Sequence, residues 1–185
     1  MRVMGIDPGS VCTGYGIIEE ADNDLKLVHW GTIKGKPKQS FPHRLKIIYD
    51  GLANVIQDFS PEVVAIEDIF FALNPKSTIK LGQTRGVAIL AAMNADKALA
   101  EYTPLSVKQS IVGYGRANKE QVRDMVSILL RLQTKPESLD ASDALAIAIC
   151  HVHTMGSRNR LSSLTENKSH HSPKTFEELA KSRGL

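Results

Sequence analysis

Residues 2–33 read RVMGIDPGSVCTGYGIIEEADNDLKLVHWGTI. Arg2 to Ile6 is a short apolar run stopped by Asp7-Pro8-Gly9, a strand that enters a turn. Thr13–Glu20 reads as a second strand, and the alternating Leu25–Ile33 as a third. Asp22-Asn23-Asp24 supplies the hairpin turn between them. The three strands predict an antiparallel meander.

The rest of the chain alternates. After a polar loop, Lys34–Ser40, a helix is expected from about Pro42 to Phe59. Its apolar face holds Leu45, Ile48, Leu52, Val55, Ile56 and Phe59, and Ser60-Pro61 ends it. Val63–Ile66 is continuously apolar, a fourth strand buried on both faces, and stops at Glu67-Asp68. Residues 69–77 look irregular, and Ser77 is the expected cap of a helix reaching about Asn94. A fifth strand, Ala98–Thr103, and a short helix near Val107–Ile111 follow. Past the Gly113–Asn118 loop, Asn118 caps Lys119–Leu132, where Val122, Met125, Val126 and Leu129 share a face. Ser138 or Asp140 opens the last core helix, which is expected to reach about Thr154 with Leu145, Ala148, Ile149 and Val152 inward. Strands alternating with helices favour parallel neighbours and right-handed crossovers. The expected class is α/β, a mixed five-stranded sheet flanked by helices. One domain spans 1–155, and the polar residues 156–185 form a flexible tail.

Composition agrees with a globular chain. Of 185 residues 42% are hydrophobic and 23% charged, which excludes collagen-like, coiled-coil and wholly disordered classes. The net charge of +3 divides into −3 over 1–75, +5 over 76–131 and +1 over 132–185. A basic middle suits a polyanion, although a solvated helical surface is the ordinary explanation. Cys12 and Cys150 are too few for a disulfide framework. No run reaches the ~18 apolar residues of a membrane span. A soluble cytoplasmic protein with no membrane partner is expected.

Four carboxylates need a reason. Asp7 and Glu67 lie at the carboxyl ends of the first and fourth strands, where open α/β sheets bind ligands. Asp140 and Asp143, three apart at a helix start, share one face. Singly, these acids serve turns, strand ends, N-caps and helix dipoles. Together they repel unless cations neutralise them. An all-oxygen set suits Mg²⁺ or Mn²⁺, and two such ions roughly 3.5–4 Å apart serve phosphodiester cleavage. Cys150-His151-Val152-His153 lacks the ligand spacing of structural zinc.

These residues resemble the RuvC family of bacterial Holliday junction resolvases. The resemblance rests on Asp7-Pro8-Gly9-Ser10-Val11-Cys12-Thr13-Gly14-Tyr15-Gly16, on Val64-Ala65-Ile66-Glu67 followed by Phe70, and on Lys80 to Gly86 (KLGQTRG). Val107-Lys108-Gln109 and Asp140 to Ala146 (DASDALA) complete it, in order over roughly 1–153. It implies an RNase H-like fold and a homodimeric, Mg²⁺-dependent endonuclease that nicks a four-way DNA junction symmetrically in recombination and repair. Mn²⁺ is the expected substitute ion, and RuvA and RuvB are the implied partners. Asp7, Glu67, Asp140 and Asp143 carry over as catalytic metal ligands. Phe70, with Phe71 as alternative, is the implied wedge at the junction centre; a core phenylalanine is the bland reading. Lys108 and Lys119 match lysines near the cleaved phosphate, and Arg85, Arg116 and Arg123 are further phosphate-contact candidates. Gly82 and Gly86 sit on a helix that the resemblance places at the dimer interface. Glycine costs ~1 kcal/mol against alanine in a helix, so a close approach to the sheet or to another subunit is expected there.

Three other readings compete. An ATP-binding phosphotransferase of the actin and sugar-kinase type also has an Asp-x-Gly turn, but a convincing second loop is missing. A noncatalytic DNA-binding module leaves the carboxylates unexplained. A resolvase-like RNA-processing nuclease is separated by its substrate.

Overall fold

The structure, a computed structural model, describes residues 1–22, 24–36, 38–68 and 74–169, with the backbone alone over 159–169. The chain divides into two units, Met1–His153 and Thr154–Leu185. The first carries β1 (Arg2–Asp7), β2 (Cys12–Ala21), β3 (Asp24–Lys34), α1 (Phe41–Phe59), β4 (Val63–Glu67), α2 (Pro75–Asn94), β5 (Ala98–Tyr102), α3 (Pro104–Val112) and α4 (Lys119–Leu129). α5 (Leu139–Ser169) begins in it. The sheet order is β3-β2-β1-β4-β5. β1–β2 and β2–β3 are antiparallel, whereas β1–β4 and β4–β5 are parallel. This is the meander with parallel additions expected of an RNase H-like sheet.

Alternation along β1 divides the core. Met4 and Ile6 pack with Ile48, Leu52 and Ile56 of α1 and Ala88, Ala91 and Ala92 of α2. Val3 turns to the other face, among Val107 of α3, Val122 and Val126 of α4 and Leu145 and Ile149 of α5. β4 behaves likewise, with Val64, Ala65 and Ile66 fully buried as its unbroken apolar run predicts. Strand periodicity therefore sends Asp7 with Val3, and Glu67 with Ala65, to the α5 face.

α5 lies unusually close to that face. A Cβ on Gly5 would collide with the Ala144 carbonyl oxygen, and one on Gly14 with the carbonyl of Asp140. The helix is apolar nearly all round there, since Ala141, Ala144, Leu145, Ala146, Ile147, Ala148 and Ile149 are all buried.

Local signals explain most element ends. Asn118 and Gln121 form a reciprocal capping box on α4. α3 is capped by Thr103 with Pro104 in its first turn. Two expectations are corrected. α2 is capped by Asn74, which accepts from the Lys76 N–H, and not by Ser77; Pro75, favoured in a first turn, lets it start earlier. α5 does not end near Thr154 but continues helical to Ser169. Helix formation needs no buried face once a packed segment has nucleated it, so its polar residues extend it.

The close approach of α5 yields a stability prediction. Gly5→Ala is expected to cost about 1–3 kcal/mol by overpacking against backbone that cannot rotate away. A shifted midpoint in urea unfolding at unchanged m is the measurement, and an unchanged midpoint contradicts the packing.

Candidate active site

The register brings the four acids to one end of the sheet. Asp7 pairs with Gly14, and Gly14 lies against the Asp140 backbone. Ile6 pairs with Ile66, so Glu67 follows at the neighbouring strand end. Asp143 is the next residue of α5 on the Asp140 face. All four are half-buried.

Electrostatics records their proximity. Asp7 is raised to about 7 by burial, then by the charges of Glu67, Asp143 and Asp140, with Lys119 opposing. Glu67 is raised to about 6 by burial and by Asp143, with Lys119 and Lys108 opposing. Both carboxyls keep their protons to higher pH than an exposed carboxyl does, first because burial disfavours the charged form and then because neighbouring acids repel it. Lys119 pairs with Asp143. Burial works against its ammonium, but the Asp143 hydrogen bond and the charges of Asp143, Asp7 and Asp140 prevail and raise its pKa. The α4 capping box fixes the first turn from which Lys119 reaches across.

The donor set is carboxylate oxygen, chemistry that suits a hard divalent cation. Neutralisation by such an ion would also offset the like-charge repulsion that adds to burial in raising Asp7 and Glu67. The acids do not form a finished cage. Among the described residues no three His, Cys, Asp or Glu side chains converge as a ligand set.

The other expected site residues divide. Lys108 faces Glu67 closely enough to lower its pKa, and Lys119 reaches Asp143, so both lysines join the site. Arg116 is exposed, and Arg123 is half-buried with its Nε unpartnered. Phe70 and Phe71 lie outside the described residues. Arg85 is not presented to solvent as a phosphate contact is. Its guanidinium pairs with Asp68 and Glu101, and its Nε–H donates to the Glu67 carbonyl. Among the described residues, a Cβ on Gly82 or Gly86 would meet nothing within 4 Å. Of the two approaches left open by the sequence, neither glycine makes the one to the sheet. Cys12 was missed by spacing: it lies near Asp140, and burial followed by Asp140 pushes its thiol up to about 11. The available signal was its place two residues before Gly14, which lies against the Asp140 backbone. The Cys150, His151 and His153 side chains diverge to Ser106, Tyr102 and Ser110, which is no zinc arrangement.

The model of the family "Crossover junction endodeoxyribonuclease RuvC" matches residues 3–151, spanning all four acids. The chain belongs to the RuvC family. It is 50% identical over 162 residues to the RuvC of Acinetobacter baylyi, covering 88% of each chain. The RuvC of Geobacter metallireducens is 49% identical over 164 residues, covering 89% of this chain and 99% of that one. Among solved structures, the Thermus thermophilus RuvC in complex with Holliday junction substrate matches with a TM-score of 0.78 at 34% identity. That match covers 84% of this chain and 94% of the Thermus chain.

In this RuvC-family site, a carboxyl pKa raised on folding makes stability fall as pH rises. The Asp7 contribution is complete below about pH 4 and lost as pH climbs through about 7. Asp7→Asn is therefore expected to raise the melting temperature of the metal-free protein strongly at about pH 8 and little at about pH 4. Thermal melts in chelator at the two pH values test this; an equal gain at both contradicts it.

Proposed function

We propose that this chain is a homodimeric resolvase that cuts four-way DNA junctions by symmetric paired nicks in recombination and repair. The observation that carries the reading is the gathering of Asp7, Glu67, Asp140 and Asp143 at one sheet end, with Lys108 and Lys119 beside them, inside the RuvC match. Asp7, Glu67, Asp140 and Asp143 would hold two Mg²⁺ ions, with Mn²⁺ as substitute. Bound there, the ions supply water activation and stabilisation of the leaving oxygen in phosphodiester hydrolysis.

The chain's own groups do the rest. Asp7 and Glu67 must lose their protons before ligation, so ion binding releases protons and tightens as pH rises. Lys119 and Lys108 place positive charge where a phosphate approaches, and Lys119 holds Asp143 until it does. Arg116 and Arg123 extend the phosphate-binding surface, and Phe70 is the proposed wedge at the junction centre. RuvA and RuvB are the proposed partners, and the cytoplasm the proposed compartment. Residues 1–155 carry the activity, with 156–185 as an appendage; among the described residues no helix is long and apolar enough to cross a membrane.

A second subunit accounts for α2. Ile79, Leu90 and Met93 are 61%, 51% and 52% exposed, and with Gly82 and Gly86 they fall at helical spacing along one stripe. An exposed apolar stripe with two open glycines fits close packing against a second copy.

Two experiments test the reading. Asp7→Asn is expected to bind a synthetic mobile junction like wild type yet lose cleavage with Mg²⁺ by on the order of 1,000-fold. Normal cutting by that variant refutes the assignment. Leu90→Glu places a charge in the stripe and is expected to give a monomer in light scattering, with paired nicking lost. A dimer that still nicks in pairs moves the interface elsewhere.

A further inference from the structure

Arg85 points to a role that its basic character alone does not suggest. It rises from α2 to the end of β4, where its side chain is only 17% exposed. Its Nε–H donates to the backbone carbonyl of Glu67 at 3.2 Å. Its Nη2 lies 3.5 Å from the Asp68 carboxylate and also pairs with Glu101 of β5. The pairing of β4 with β1 is complete at Ile66, one residue earlier. On the other side, the Asp68 N–H donates to the Tyr102 carbonyl at 2.8 Å. Arg85 thus completes the backbone bonding of Glu67 where the ladder with β1 has run out. A planar guanidinium can serve a carbonyl and two carboxylates from one fixed fork, which an ammonium cannot.

We propose that Arg85 is a positioning residue: it pins the peptide of Glu67 between α2 and β5, so that the Glu67 side chain keeps its place beside Asp7. It does not touch DNA. The inference rests on Glu67 as a metal ligand. Small displacements of reacting groups cost about 100-fold in rate, and groups that orient metal ligands are worth about 10–100-fold.

The test compares Arg85→Gln, Arg85→Lys and Glu67→Gln in the full chain. In Arg85→Gln, single-turnover cleavage at saturating enzyme is expected to fall about 10–100-fold. Its Mn²⁺ dissociation constant, followed through the free-ion electron paramagnetic resonance signal without DNA, is expected to rise. Junction affinity in Ca²⁺ and oligomeric mass are expected to stay at wild type. Arg85→Lys keeps the charge but not the fork and is expected to recover only part of the rate. Wild-type rate and Mn²⁺ affinity in Arg85→Gln overturn the proposal, as does a loss of junction affinity matching the loss of rate, which returns Arg85 to phosphate contact. Should Arg85→Gln not fold, Glu101→Gln carries the test: a slower cut at unchanged junction affinity supports the clamp, and an unchanged rate overturns it. Glu67→Gln separates the two readings, since normal cutting by that variant removes Glu67 from the mechanism whatever Arg85 does.

Discussion

The contact of α5 with the sheet at Gly5 and Gly14 governs the rest of the structure. Two residues without side chains let a helix backbone rest on strand backbone, where any Cβ would strike a carbonyl. That approach sets the height of Asp140 over the strand end that carries Asp7. The helix can lie so low because alanines line it at 141, 144, 146 and 148. A bulkier helix would lift the acidic pair away from Asp7 and Glu67, and the four carboxylates would become separate surface acids. The small residues of the core and the chemistry of the site are thus one constraint.

That closeness has an electrostatic cost. Asp7 is pushed upward first by burial and then by Glu67 and Asp143, and Glu67 by burial and then Asp143, so the folded chain works against its own charge. Lys119 offsets part of it at Asp143. Stability and function pull in opposite directions here, as expected where a site must wait for cations. The capping box beneath Lys119 matters for this reason: a frayed first turn would release the only ammonium paired with these acids among the described residues.

The meander, the helices and the four acids were legible because each rests on a local pattern. β1 is a short run cut by a Pro-Gly turn, β4 an unbroken apolar run, and α1 a clean amphipathic face. Two boundaries were not legible. Ser77 and Asn74 are both acceptable caps, and only the Pro75 that follows Asn74 favours the earlier one. The extension of α5 to Ser169 is carried by a polar stretch without periodicity, so no apolar stripe announces it. Composition predicted a surface that cannot be buried, which is a different statement from a backbone that cannot be helical. The site's finer membership depended on tertiary packing: Cys12 comes near Asp140 because it opens the strand whose Gly14 lies against the Asp140 backbone.

The basic middle of the chain shows the same limit for charge. Nine cations against four acids over 76–131 read as a phosphate-binding surface. Folding withdraws three of the nine into pairs within the chain: Arg85 with Asp68 and Glu101, Lys119 with Asp143, and Arg131 with Asp24. The partners of Arg131 and Lys119, and one of the two partners of Arg85, come from outside the segment, so no count along the sequence reveals them. The three pairs also differ in kind. Arg131 is largely exposed, and its pair with Asp24 is of the class worth little in water. Lys119 is held against Asp143 by a side-chain ion pair, so a cation competing for the acid, or an anion competing for the ammonium, can exchange it. Arg85 is fixed by a backbone carbonyl as well as by charge, and a carbonyl does not exchange with phosphate. Identical formal charges thus separate into surface, exchangeable and structural cations according to what each side chain touches.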